Sequence, residues 1–183
     1  LRHASPPYPR YYIDLGGTFA DYRKKFSAKT RSTLSRKVKK FAAHCGGELQ
    51  WKVYRSRSEL MEFHRLARSL SVNTYQEKLL DAGIPDGKAF LARLANLAET
   101  DAARGYLLFH GEVAVAYLCC PIKDGAVEYE YLGYDPAYRD WSVGTILQLL
   151  ALESIFEERK WRVFDFTQGE SEHKRMFGTG SVL

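Results

Sequence analysis

The sequence predicts an α/β (α+β) domain on a mixed sheet, and three observations carry that expectation. Residues 105–134 hold three apolar, partly alternating runs joined by the tight turns His110-Gly111-Glu112 and Lys123-Asp124-Gly125, the pattern of an antiparallel meander. Helical patterns lie on both sides of that meander in the chain. Beyond the last long helix comes a further short apolar strand, so the sheet takes a strand from outside the meander. At 183 residues, 45% hydrophobic and 27% charged, one domain with a proper core is expected.

Element by element, Leu1 to Arg10, with Pro6, Pro7 and Pro9, reads as an extended lead-in at a domain boundary, and Tyr11 to Leu15 as a short strand ended by Gly16-Gly17. Ser27 caps a helix to about His44, with Thr30, Leu34, Val38 and Phe41 on one stripe and Gly46-Gly47 as its stop. Glu48 to Tyr54 alternates as a half-buried strand. Ser56-x-x-Glu59 is a capping box, and Leu60, Phe63, Ala67 and Leu70 give the next helix its buried face. Residues 71–85 read as an irregular connection, after which Asp86 caps a helix burying Phe90, Leu91, Leu94, Leu97 and Ala98. The meander strands are Gly105–His110, Val113–Pro121 and Ala126–Tyr134. Val143 to Glu158 is the most apolar helix, Arg162 to Phe166 a strand, and Glu170 to about Phe177 a final helix.

No stretch has the apolar length needed to cross a bilayer. Cys45, Cys119 and Cys120 lack metal-ligand spacing, and neighbours on one strand point to opposite faces. Three unpatterned cysteines fit reduced thiols in a cytoplasm. The net charge of +5 is concentrated: from Arg23 to Lys40 there are nine basic residues and no acid. That helix suits a polyanion, whether nucleic acid, an anionic membrane or a cofactor's phosphates, or else is a solvated face that docks a neighbouring domain.

The segment with the most chemistry is Glu128-Tyr-Glu-Tyr-Leu-Gly-Tyr-Asp-Pro-Ala-Tyr-Arg-Asp-Trp-Ser-Val-Gly-Thr145. A strand feeds a Pro-broken turn, and an Arg139-x-x-Ser142-x-Gly144 loop then opens the apolar helix. Unpaired N–H groups at a helix start, aided by the helix dipole, suit a phosphate or diphosphate. Backbone N–H groups of Trp141, Ser142, Val143, Gly144 and Thr145 are the expected donors, with Arg139 adding charge. Glu128 and Glu130 lie two apart on one strand face, where one carboxylate could take a proton from an attacking amine and the pair would raise one pKa; the alternative is a solvated sheet face. Asp165, between Phe164 and Phe166, points opposite to them, toward a cleft edge or into a polar pocket where it satisfies backbone or a lysine.

This order of elements, with that loop directly after the third meander strand, resembles the GNAT acyltransferase superfamily, whose loop amides hold the diphosphate of coenzyme A. More narrowly it resembles the FemAB-like branch, including the bacterial acetyltransferase domain found with cellulose-biosynthesis proteins. The narrower match rests on the basic stretch Ser27–Lys40, on Gly133-Tyr134-Asp135-Pro136 with Ser142-Val143-Gly144, and on Phe164-Asp165-Phe166-Thr167-Gln168-Gly169 with His173-Lys174. It covers roughly residues 20–178. Two departures stand out: Ser142 replaces the loop's first glycine, tolerable if its φ stays negative, and no tyrosine follows the last central strand to protonate a leaving thiolate, a role that would pass to Ser171 or His173.

The resemblance implies a GNAT-like, mostly antiparallel mixed sheet with helices on both faces, in residues 23–183, after an N-terminal arm 1–22, as the C-terminal part of a longer protein. It implies acetyl-CoA or another acyl-CoA as co-substrate and direct attack by a small-molecule or saccharide amine. The thioester carbonyl would be polarised by backbone of Leu132, Gly133 and Tyr134, where strand pairing splays open. Tyr75, Gln76, Asp165, Gln168 and Lys174 are the expected acceptor-side contacts, and Glu128, Glu130 and His173 the catalytic candidates. Rival readings are a Fem-type transferase dependent on aminoacyl-tRNA held by helix 27–44, and a non-catalytic module in envelope assembly. A neighbouring GNAT-like domain or a homodimer is a further expectation.

Overall fold

A computed structural model describes residues 9–72 and 83–183. The chain order is β1 (Arg10–Asp14), α1 (Phe19–Arg23), α2 (Ala28–His44), β2 (Gln50–Tyr54), α3 (Arg57–Ser71), α4 (Lys88–Glu99), β3 (Ala103–His110), β4 (Val113–Lys123), β5 (Ala126–Glu128) and β6 (Tyr131–Tyr134). A 3₁₀ turn (Pro136–Trp141) follows, then α5 (Val143–Glu158), β7 (Val163–Gln168), α6 (Glu172–Phe177) and β8 (Gly180–Val182). The sheet runs β2-β3-β4-β5-β7-β1-β8, with β6 also on β4. Its pairings are antiparallel except β5 with β7.

Each face of the sheet buries its own core. One holds Leu34 and Phe41 of α2, Phe164 and Phe166 of β7, and the apolar side of α5. The other holds Leu60 and Phe63 of α3 with Phe90 and Leu94 of α4. Cys120 joins the first and Cys119 the second, as strand alternation requires. Helices therefore cover both faces of a mostly antiparallel mixed sheet.

Local chemistry sets the boundaries. Thr18, Ser27, Ser56 and Ser171 each accept a backbone N–H at a helix start, and Ser56 with Glu59 completes the capping box. Gly46 and Gly47, at φ +90 and +116, end α2. Three expectations are corrected. The cap of α4 is Gly87 rather than Asp86, whose carboxylate instead accepts the Gly87 N–H at 2.8 Å. The third meander strand is two strands: Tyr129 N–H turns to Asp165 O and Glu130 N–H to Cys119 O, breaking the ladder between β5 and β6. Residues 10–22 are no separate arm, since β1 sits between β7 and β8 and buries Ile13 completely.

Two strand glycines are fixed by aromatic rings lying on them. A Cβ at Gly105 would stand 2.6 Å from Phe63 Cγ, and one at Gly133 would stand 2.5 Å from Tyr117 Cε1. Gly105→Ala must displace Phe63 from the α3 core, and is expected to lose about 1–3 kcal/mol in urea denaturation.

Candidate active site

The α5 N-terminus carries the local feature on which the site is built. Ser142 precedes it at φ 54 and ψ 36, a left-handed conformation, and makes no side-chain cap. The condition under which serine is readily tolerated here, a negative φ, is not met; the left-handed residue turns the chain from the 3₁₀ turn into α5. The first α5 amide to bond inward is that of Ile146, to Ser142 O at 3.0 Å. The amides of Val143, Gly144 and Thr145 have no assigned acceptor among the described residues. These three residues line a cavity of about 380 Å³ together with Tyr129, Leu132, Tyr134, Arg139, Ser142, Ser171, His173 and Lys174.

The cavity exists because the sheet parts there. β5 and β7 pair only as far as Glu128 and Asp165, while β6 continues on β4 alone among the described residues. Ser171, His173 and Lys174, from the cap and first turns of α6, line the same cavity as Leu132 and Tyr134 of β6. Gly144 keeps the wall low: a Cβ there would lie 3.4 Å from Leu132 and 3.6 Å from Tyr134, both ordinary contacts. Positive charge comes from Arg139 and Lys174 at the cavity. The Lys174 ammonium also donates to Gln168 O at 3.0 Å, and burial lowers its pKa.

Other expected site residues are placed elsewhere. Gly133 faces Tyr117 and the α3 side, because strand alternation turns it from the side that Leu132 and Tyr134 line. Trp141 turns its indole toward α2, stacking on His44 at 4.0 Å between centroids, with Lys40 over the ring at 5.1 Å. Glu130 is chelated by Arg93 at 2.5 and 2.9 Å, so it makes no proton-sharing pair with Glu128. Neither acid lines the cavity: Glu128 sits in register with Asp165, on the sheet face opposite Phe164 and Phe166. Asp165 is held by Arg10 (2.7 Å) and by Thr167 N–H (2.7 Å), fixing the left-handed turn at Thr167. Gln168 ends β7 and offers its carbonyl to Lys174. Tyr75 and Gln76 lie outside the described residues.

His173 is at the cavity, and its surroundings are specific. Its Nε2 lies 2.6 Å from Gln148 Oε1, and its ring packs on Phe177 at 4.7 Å. Burial, followed by Lys174 and Lys37, pushes its pKa below the usual histidine value, favouring the neutral ring at pH 7. Sequence reasoning missed Gln148 and Tyr129. The signal for Gln148 was present: it is the one amide in the apolar run Ile146-Leu-Gln-Leu-Leu-Ala-Leu152. Tyr129 was concealed by the unrecognised strand break.

The chain belongs to the acetyltransferase (GNAT) domain family, whose model matches residues 28–175. Solved structures share the fold at low identity. FemX aligns with a TM-score of 0.63 at 13% identity, over 99% of this chain and 61% of that one. A conserved protein of unknown function from Bacteroides thetaiotaomicron gives 0.62 at 13%, over 96% and 57%. L-PGS from Bacillus licheniformis gives 0.56 at 17%, over 90% and 48%. The chain therefore spans about half to three-fifths of these structures, and at such identity they show the fold alone. No curated protein matches the sequence significantly. Among the described residues no helix is long and apolar enough to cross a membrane.

Proposed function

We propose that the chain transfers an acyl group from an acyl-CoA thioester to an amine by direct attack. The observation that carries this reading is the uncapped trio of amides at Val143, Gly144 and Thr145, residues that line a cavity beside a parted sheet. A diphosphate suits that trio, because it supplies oxygen acceptors to amides that otherwise lack them and negative charge to a positive helix end. The residues present fit such a ligand: Gly144 leaves room, and Arg139 and Lys174 balance charge. In this reading the free edge of β6 at Leu132–Tyr134 lies along the pantetheine arm and polarises the thioester carbonyl. Attack is direct, with no covalent enzyme intermediate.

A second reading has a specific observation in its favour. Helix α2 brings its cations to the same end of the molecule: Lys37 acts electrostatically on His173, and Lys40 lies over Trp141 beside the loop. A donor carried on tRNA, as in the Fem branch, would use that basic wall. The two separate in one experiment. Acetyl-CoA at a hundredfold over its Kd is expected to stabilise the chain by about 2.7 kcal/mol in thermal unfolding. No shift with any acyl-CoA, together with tRNA binding of steep salt dependence, would favour the second reading.

A further inference from the structure

Helix α5 buries eight residues; seven are apolar and the eighth is Gln148, fully buried. A primary amide placed on such a face costs free energy unless both its ends are bonded. Gln148 meets that requirement by half: Oε1 takes the His173 Nε2 contact, while its own Nε2 has no partner among the described residues. Leucine flanks it at 147, 149 and 150, and a leucine at 148 would avoid this penalty. What the amide does that leucine cannot is to accept a hydrogen bond from an imidazole at the cavity wall. No hydrogen bond is assigned to His173 Nδ1 among the described residues.

We propose that Gln148 is a positioning residue that holds His173 as its Nε2–H tautomer, leaving the Nδ1 lone pair as proton acceptor for the attacking amine. The role rests on the acyl-CoA reading. The amine nitrogen, entering as the free base, forms a bond to the thioester carbon, and the carbon–sulfur bond breaks with its electron pair on sulfur. The proton shed by nitrogen passes to Nδ1 and then to sulfur, so amide and thiol leave and His173 is restored. The groups around the ring favour its neutral form. Lys174 on α6 and Lys37 from α2 bring positive charge, while Gln148 of α5 and Phe166 and Phe177 bring none. The two strand acids are poorly placed for the task, Glu130 being bound to Arg93 and neither acid lining the cavity.

Nitrogen NMR of the chain labelled in histidine tests the tautomer directly, with His173→Gln assigning the resonance. The expected parent spectrum has a pyrrole-like Nε2 and a pyridine-like Nδ1 for His173. Gln148→Leu is expected to mix the tautomers while leaving acetyl-CoA affinity and the melting temperature at or above the parent's. In thiol release from acetyl-CoA with hydroxylamine as acceptor, His173→Gln should lower kcat by roughly 10²–10⁴-fold, and Gln148→Leu by less with KM unchanged. Gln148→Glu, which stabilises the imidazolium, should move both the His173 titration and the acid limb of kcat/KM to higher pH. A parent that binds acetyl-CoA but carries His173 protonated on Nδ1 overturns the dyad, as does Gln148→Leu with parental kcat and pH profile. A parent with the expected tautomer that binds no acetyl-CoA overturns the donor assignment and, with it, the transfer role.

Discussion

Gly144→Trp abolishes the acetyl-CoA-dependent rise in melting temperature, while Gly144→Ala keeps it. The reason is geometric. The alanine methyl meets Leu132 and Tyr134 at ordinary contact distances, whereas an indole on the same carbon must project into the cavity fronting the three amides. Neither variant strains the backbone, because the positive φ of this loop belongs to Ser142 and not to Gly144. Isothermal titration of both variants separates lost affinity from lost fold, since the unliganded melting temperatures should match the parent's closely. If Gly144→Trp binds acetyl-CoA as tightly as the parent, the donor sits somewhere else.

The largest effect on stability is expected at Arg104, far from the cavity. Its side chain is 0% exposed, and it pairs with Glu158 at the end of α5 (2.7 and 3.1 Å) and with Asp101 (2.9 and 3.1 Å). Removing one partner of a buried pair leaves the other charge without compensation, so Arg104→Ala should lose about 3–5 kcal/mol in urea denaturation. Replacing Arg104 and Glu158 together by Met and Leu should recover much of that loss, and the double-mutant cycle measures how much. The same cluster has a pH signature. Burial by itself would raise the Asp101 pKa, but hydrogen bonds from Arg55, Arg104 and Lys160 outweigh it and hold the carboxyl well below its ordinary value. A carboxyl with a depressed folded pKa stabilises the fold above its unfolded value of about 4, and that contribution is lost as pH falls toward the folded value. Asp101→Asn should therefore flatten the acid limb of the stability curve below about pH 4.

What the sequence disclosed and what it hid follow from interaction range. The bounds of α5, the start of α2 at Ser27 and the capping box at Ser56 were legible because each depends on residues within one turn. The place of the cavity was legible too, since a strand, a turn and a helix start are contiguous in residues 128–145. The partners of its acids were not. Arg93 reaches Glu130 and Arg10 reaches Asp165 across 37 and 155 positions, and no periodicity records such contacts. The β5–β6 break escaped because Tyr129 and Tyr131 look like continued alternation, although Tyr131-Leu132 places two apolar residues in succession. The strand at Tyr11–Leu15 was legible, but its place between β7 and β8 was not, since its partners lie about 150 positions or more away and its core contacts are tertiary.

Backbone amide NMR on the nitrogen-labelled chain can address the three amides individually. On saturation with acetyl-CoA, and equally with free CoA, which shares the diphosphate, the Val143, Gly144 and Thr145 signals should move downfield more than any others in α5. If CoA binds while these three signals stay in place and others move, the phosphates are held elsewhere and the reading of the α5 N-terminus as the donor site is wrong.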